Sequence, residues 1–173
     1  MDYDSFDWMT EEMKEQCRRI DRMIQMLDMD ATFELEDNRD FASAMNGILD
    51  SKCQGNPASL NHWQRTLYLC IHLENAGQAD HILGFLQEDH PEYQEEAVAA
   101  LNEIGAFESA KIIARAIEIL PKDGSWFFAS SDEKSEKLMS ALNSQFSSYP
   151  DGEMPDLYRR YAEEHRAGFR NET

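Results

Sequence analysis

Between Glu88 and Glu108 the sequence places seven carboxylates, on Glu88, Asp89, Glu92, Glu95, Glu96, Glu103 and Glu108, and no Lys or Arg. Carboxylates at this density can do three kinds of chemistry. A pair can act as general acid and base, a set can ligate a cation, and a surface array can grip arginine and lysine through charge-assisted hydrogen bonds. The first needs a pair aimed into a cleft, and the abundance of acids here singles out no such pair. The chain also lacks a Gly-x-Ser-x-Gly elbow, a phosphate-binding glycine loop, a dinucleotide fingerprint and a His-Glu-x-x-His pair, so no enzyme is expected. For the second, Asp28-Met-Asp30 has neither the turn glycine nor the terminal Glu of a calcium loop, and Asp151-Gly-Glu153 is too short. His62, His72, His81 and His90 stand nine or ten residues apart without a close second ligand. No metal and no cofactor are expected. Gripping a basic partner remains.

The run from Glu88 to Glu96, with Glu103, is the first candidate surface. On a helix opening at Pro91, Glu92, Glu96 and Glu103 share the outer face in steps of about 6 and 10 Å, comparable with successive phosphates. Ordinary solvated faces mix signs at i, i+4, and this one carries no compensating base. A second candidate cluster is Glu34, Glu36, Asp37 and Asp40, with Asp28 and Asp30 before it and Arg39 as its local offset. A third group, Asp2, Asp4, Asp7, Glu11, Glu12 and Glu15, reads equally well as helix N-terminal charge. Arg159, Arg160, Arg166 and Arg170 are expected to pair with Glu163, Glu164 and the N-terminal acids.

The whole chain is acidic: 34 Asp and Glu against 16 Lys and Arg give a net charge of −18 on 173 residues. Duplex DNA carries one charge per ~1.7 Å, so −18 corresponds to about 30 Å of double helix. A chain of this length folds to a radius of gyration of roughly 16 Å. Its charge per unit length therefore approaches that of DNA, which argues against nucleic acid or an anionic membrane as the partner. Hydrophobic residues make up 42%, enough for a core. No apolar run is long enough to span a bilayer, and the acidic start is unlike a signal peptide. Cys17, Cys53 and Cys70 are odd in number without a Cys-x-x-Cys pair, which suits reduced thiols in the cytoplasm.

The elements that must carry these residues read as helix nearly throughout, without a convincing alternating strand. The expectation is an all-α, single compact domain, 1–173, of about seven or eight helices packed as helical hairpins. N-terminal helices occupy 8–53, a central core about 60–121, and C-terminal helices 132–166. Apolar stripes place helices from Met9 to Leu27, Asp37 to Cys53, Leu60 to Asn75, Gln78 to Gln87, Pro91 to Ile104, Phe107 to Leu120, Asp132 to Phe146 and Pro155 to Arg166. Gly77 and Gly105 are expected as left-handed helix stops, 28 residues apart. Residues 121–131 form a loop that Trp126, Phe127 and Phe128 pin to the core.

The stretch Asn75-Ala-Gly77-Gln78, then Phe85, then Glu96-Ala97 through Ala100-Leu101-Asn-Glu-Ile104-Gly105-Ala106 to Ala110, Ala116 and Pro121 resembles a bacterial family of small helical proteins. Most of its members have no assigned function. The usual pair of glycines after the Asn is Ala76-Gly77 here, and Gln78 stands where an aromatic is usual. The family includes an acidic DNA-mimic protein that binds a helix-turn-helix transcription factor. The resemblance, joined to the charge, implies the same role: an acidic DNA mimic that keeps such a DNA-binding protein off its operator, without binding nucleic acid itself. A homodimer would extend the acidic surface to the length that a dimeric regulator spans. The competing expectation is a non-catalytic helical scaffold whose acidity serves solubility.

Overall fold

The computed structural model describes residues 2–170. Among them are ten α-helical segments and no strand, and seven of the helices run ten residues or more. The all-α expectation holds. The chain divides into two compact units: residues up to Arg65 together with those from Ala162 on, and Thr66–Tyr161. The boundaries fall inside α4 and α9, defined below.

The first unit is built on α1 (Glu11–Met26), α2 (Met29–Phe33) and α3 (Asn38–Cys53), with the start of α4 (His62–Ala79) and the short α10 (Arg166–Arg170). Each early helix opens on a polar cap that accepts from an otherwise unmatched backbone N–H. Thr10 caps α1 through Met13 N, Asp28 caps α2 through Ala31 N, and Asp37 caps α3 through Arg39 N and Asp40 N. The core buries Phe33, Leu35, Phe41, Met45, Ile48, Leu49 and Phe169. Phe33 lies 5.6 Å from the Phe41 ring and 6.2 Å from the Phe169 ring, in tilted and edge-on geometry. Such pairs add to area burial because ring edges meet ring faces.

The second unit takes the rest of α4, then α5 (Gln94–Glu103), α6 (Phe107–Glu118), α7 (Phe127–Ser130), α8 (Glu133–Ser147) and most of α9 (Met154–Glu164). One expected hairpin forms as read. Gly105 sits at φ +88, and the Ala106 N–H returns to the Leu101 carbonyl at 2.8 Å, closing α5 before α6 begins. The Arg160 guanidinium donates to the Ile104 carbonyl at 2.9 Å and lies where a Cβ on residue 105 would fall, 2.7 Å away. A side chain at 105 would both strain the backbone and displace this cation from the helix end.

The other expected hairpin does not form. α4 runs through Gly77 to Ala79, and Gly77 has no positive φ. Its role is close approach: a Cβ there would stand 2.9 Å from Cδ1 of Phe146 on α8. The second arm, read as an α-helix over 78–87, is instead a wide, π-helical turn over Gly84–Asp89. Residues 121–131 also depart from expectation. Phe127 is buried within α7, whereas Trp126 and Phe128 stay 38% and 49% exposed. The preceding Trp126 is extended, φ −61 and ψ 133, and α7 is one turn long, so this segment turns only its middle aromatic inward.

α6 has no capping side chain of its own, because Ala106 stands at its N-cap. Asp151, from the turn before α9, supplies the cap. Its carboxylate accepts from Glu108 N at 2.9 Å and Ser109 N at 2.8 Å. Burial would raise this carboxyl, but those two N–H groups outweigh it and hold it below the usual range. A depressed folded value contributes stability present at neutral pH and lost as pH falls below the unfolded range near 4. Asp151→Ala should therefore lower stability by about 0.5–2 kcal/mol at pH 7. The gap between wild type and variant, read from thermal melts, should narrow as the medium is acidified.

A second carboxylate is more deeply placed. Glu74 Oε1 accepts from the Tyr149 hydroxyl and Oε2 from the Tyr158 hydroxyl, both at 2.8 Å. Burial raises its pKa, and the two hydroxyls only partly oppose that. A raised folded value favours the protonated form. Its contribution is complete below the unfolded value near 4.5 and is lost as pH rises through the folded one. Glu74→Gln keeps both hydroxyls near a polar group and removes the ionisation. Its melting temperature relative to wild type should climb from pH 4 to pH 8; a flat difference would show that Glu74 ionises without cost.

Candidate functional site

The acids differ in what they already hold. In the first unit most are engaged, with Asp7, Glu12, Glu36 and Glu164 exposed and without a side-chain partner among the described residues. Asp4 pairs with Arg18 at 2.5 Å, Glu15 with Arg22 at 2.8 Å and Arg18 at 3.4 Å, and Glu11 with Lys14 at 3.2 Å. Glu34 pairs with Arg166 at 3.1 Å, and Asp30 with Arg170. Of the C-terminal arginines, Arg166 therefore reaches Glu34 and Arg170 reaches Asp30, and Arg166 also meets Glu163 at 3.4 Å, as expected. Asp37 is taken up by the α3 cap, and Asp40 accepts from Gln16 Nε2 at 2.6 Å. Of the second candidate cluster, Glu36 alone is exposed with no side-chain partner among the described residues.

In the second unit, exposed, unpartnered acids fall close together in the chain. Glu88, Asp89, Glu92 and Glu95 are all exposed, and none has a side-chain partner among the described residues. Their placement follows from a sharp change of backbone. The wide turn Gly84–Asp89 closes with the His90 N–H donating to the Phe85 carbonyl, five residues back, at 3.0 Å. His90 then takes φ −140 and ψ 48, and Pro91 opens a single 3-10 turn, Pro91–Tyr93, where its missing N–H is no loss. Tyr93, at φ −104 and ψ 13, is outside the helical region, so α5 starts only at Gln94.

This corrects the expected stripe. Glu92 belongs to the 3-10 turn and not to the α-helix carrying Glu96 and Glu103, so the three do not form one helical row. Glu96 is half-buried. Glu103 is held: its Oε1 accepts from the Tyr161 hydroxyl at 2.6 Å, and Thr66 Oγ1 is 3.5 Å from Oε2. Burial and then this bond raise the Tyr161 hydroxyl, so it remains a donor. The bend brings Glu88 and Asp89, at the end of one turn, next in the chain to Glu92 in the second and Glu95 in the first turn of α5. Glu95 also meets the positive end of the α5 dipole.

The anchor under this bend is an aromatic cluster that separated histidines concealed. His90 is buried, with its ring 5.2 Å from Phe85, 5.7 Å from Tyr68, 5.4 Å from His72 and 6.2 Å from Tyr93. Tyr68 stacks on His72 at 4.0 Å. Tyr68 and His72 share an i, i+4 spacing on α4, which signals that pair, but nothing in the spacing brings His90 to them. No group of three or more His, Cys, Asp or Glu poised to hold a metal occurs among the described residues. Cys53 and Cys70 are buried free thiols, Cys17 is half-buried, and burial raises Cys70 well above the ordinary thiol range. No helix among the described residues is long and apolar enough to cross a membrane.

The two classes of acid should separate on reversal. Glu92→Lys and Glu95→Lys should each shift stability by no more than about 0.5 kcal/mol. Glu103→Lys should cost about 1–3 kcal/mol, because it leaves the buried Tyr161 hydroxyl without its acceptor. Chemical denaturation of the three variants measures this directly. Equal costs at all three positions would mean that Glu103 does not hold Tyr161.

No curated protein and no solved structure matches the chain. A family model described as DMP19-like protein matches residues 58–165, which covers the α4–α9 segment, the aromatic anchor and the acidic bend. The match spans well over half of the sequence, and the chain belongs to the DMP19-like family.

Proposed function

We propose that this protein is a non-catalytic DNA mimic that occupies the DNA-binding face of a helix-turn-helix transcription factor and so keeps that factor from its operator. The observation that carries the reading is the set of four exposed carboxylates without partners, on Glu88, Asp89, Glu92 and Glu95, in a chain of net charge −18. Membership of the DMP19-like family supports it. An arginine or lysine that grips a phosphate oxygen can grip a carboxylate oxygen with the same charge-assisted bond. A surface that leaves four like charges uncompensated gives up stability unless a cationic partner repays it. Glu96 lies beside this set, and Glu36 of the other unit is a further exposed carboxylate. Glu34, Asp37, Asp40 and Glu103 serve internal bonds first.

Two measurements test the proposal together. Proteins retained from a lysate on DNA-cellulose are challenged with this protein, and those released are identified and titrated against their operators. The released regulator should bind either its DNA or this protein, never both, and its affinity for this protein should fall steeply with added salt because the contacts are charge pairs at a wet surface. The Glu92→Lys, Glu95→Lys double variant should lose several kcal/mol of that affinity, since attraction becomes repulsion. A stable ternary complex with DNA, or an affinity flat in salt, would overturn the mimic reading in favour of an apolar scaffold.

A further inference from the structure

Two aromatic rings of the second unit stay in water on either side of a buried one. Trp126 and Phe128 are 38% and 49% exposed, while Phe127 between them is buried. The outer rings stand 6.2 Å apart, tilted by 59°, and Phe128 meets the His81 ring edge-on at 6.1 Å. Their backbone is fixed. The Trp126 carbonyl accepts from Ala129 N at 3.0 Å and Ser130 Oγ at 3.2 Å. Gln87 accepts from Phe127 N at 3.0 Å and donates to the Ser125 carbonyl at 3.1 Å. Gln87 also ties the rings to the acidic bend, since Glu88 and Asp89 follow it directly. Burial lowers the pKa of His81 and the charge of Asp80 opposes that, which puts a second carboxylate near the ring that Phe128 meets. The Ser125 N–H and hydroxyl, at 3.0 and 2.8 Å, hold Asp123 below the usual carboxylate range, so it stays ionised. Over 80–90 and 121–132 the chain carries Asp80, Glu88, Asp89, Asp123 and Asp132 against Lys122 alone. Neither exposed ring has a cation over it among the described residues.

We propose that Trp126 and Phe128 form a stacking platform for an arginine side chain of the basic partner, with Asp80, Glu88 and Asp89 supplying negative charge nearby. This role rests on the mimic reading and deepens it by naming the cation preferred there. The face of an aromatic ring carries negative partial charge and attracts a cation. Charge complementarity selects a cation over other occupants: an anion would be repelled by these carboxylates, and an apolar side chain would leave them without a partner. The guanidinium group is planar and weakly hydrated, so it stacks on a ring, whereas the compact ammonium of lysine holds its water. Carboxylates by themselves attract both. Arginine is also the commonest reader of guanine edges in the major groove. A platform for arginine therefore engages the side chains with which a regulator reads its operator, in addition to those that grip phosphate.

The test uses two dye-labelled synthetic peptides of equal length and charge, one with arginines and the other with lysines at the same positions. Fluorescence anisotropy with the full chain should show the arginine peptide binding more tightly. Trp126→Leu should weaken the arginine peptide about three- to fivefold, the effect of one exposed guanidinium–ring contact, and leave the lysine peptide nearly unchanged. Phe128→Leu should do the same. Trp126→Phe keeps an aromatic face and should retain most of the wild-type affinity. Both positions are exposed, so the variants should fold, which circular dichroism checks. A leucine variant that binds the arginine peptide as tightly as wild type, or that weakens both peptides equally, overturns the platform while leaving the acidic surface standing. So does a Trp126→Phe variant as weak as Trp126→Leu. If Trp126→Leu instead turns a wild-type dimer into a monomer in sedimentation, a second copy covers the rings and the platform is likewise overturned. If neither peptide binds at low salt, the mimic reading fails and the platform fails with it.

Discussion

Four neighbouring carboxylates repel one another, and the segment carrying Glu88, Asp89, Glu92 and Glu95 keeps its shape only because its other side is buried. Phe85, Leu86, His90, Ala97 and Leu101 lie under the bend, each removed from water almost completely. Burying a large apolar side chain is worth about 1.5–3 kcal/mol, whereas a like-charge pair on a surface costs a few tenths. The apolar underside thus outweighs the charged top by a wide margin. The His90 ring, wedged among Phe85, Tyr68 and Tyr93, sets where the chain turns and hence where the charges point.

The same electrostatics sorts the remaining acids. Where arginines are near, as beside Asp4, Glu15, Asp30 and Glu34, the carboxylates are neutralised in pairs. Where helix N-termini are near, as with Asp28, Asp37, Asp132 and Asp151, they satisfy backbone N–H groups that would otherwise lack a partner. Buried hydroxyls claim Glu74 and Glu103. A net charge of −18 is therefore a poor guide to binding by itself, because many of its carboxylates have internal work. What distinguishes the acidic bend is that four carboxylates without such a task stand within eight residues of one another.

The exposed rings of Trp126 and Phe128 have a local cause. The chain between α6 and α8 is short of helix and is tied down mainly through Phe127 and the two hydrogen bonds of Gln87.

The helical class, the helix starts near Asp37 and Asp132, the Gly105 stop and the inward faces of Ala97, Leu101 and Ile104 were legible in the sequence. Each depends on residues within a turn or two of one another, and periodicity and cap chemistry act at that range. Pro91 was rightly a starting residue, but local rules do not say that one 3-10 turn intervenes before α5. Gly77 shows the limit more sharply. Its sequence context is that of a helix stop, yet its function is to let Phe146, 69 residues later, approach the helix. The separation of engaged from unengaged acids was likewise invisible, because Arg166, Tyr161 and Asp151 reach their partners only after the chain has folded. Sequence alone determined how much negative charge the protein carries and on which elements; tertiary structure decided which of those charges remain unsatisfied, since a carboxylate's partners are set by proximity in space.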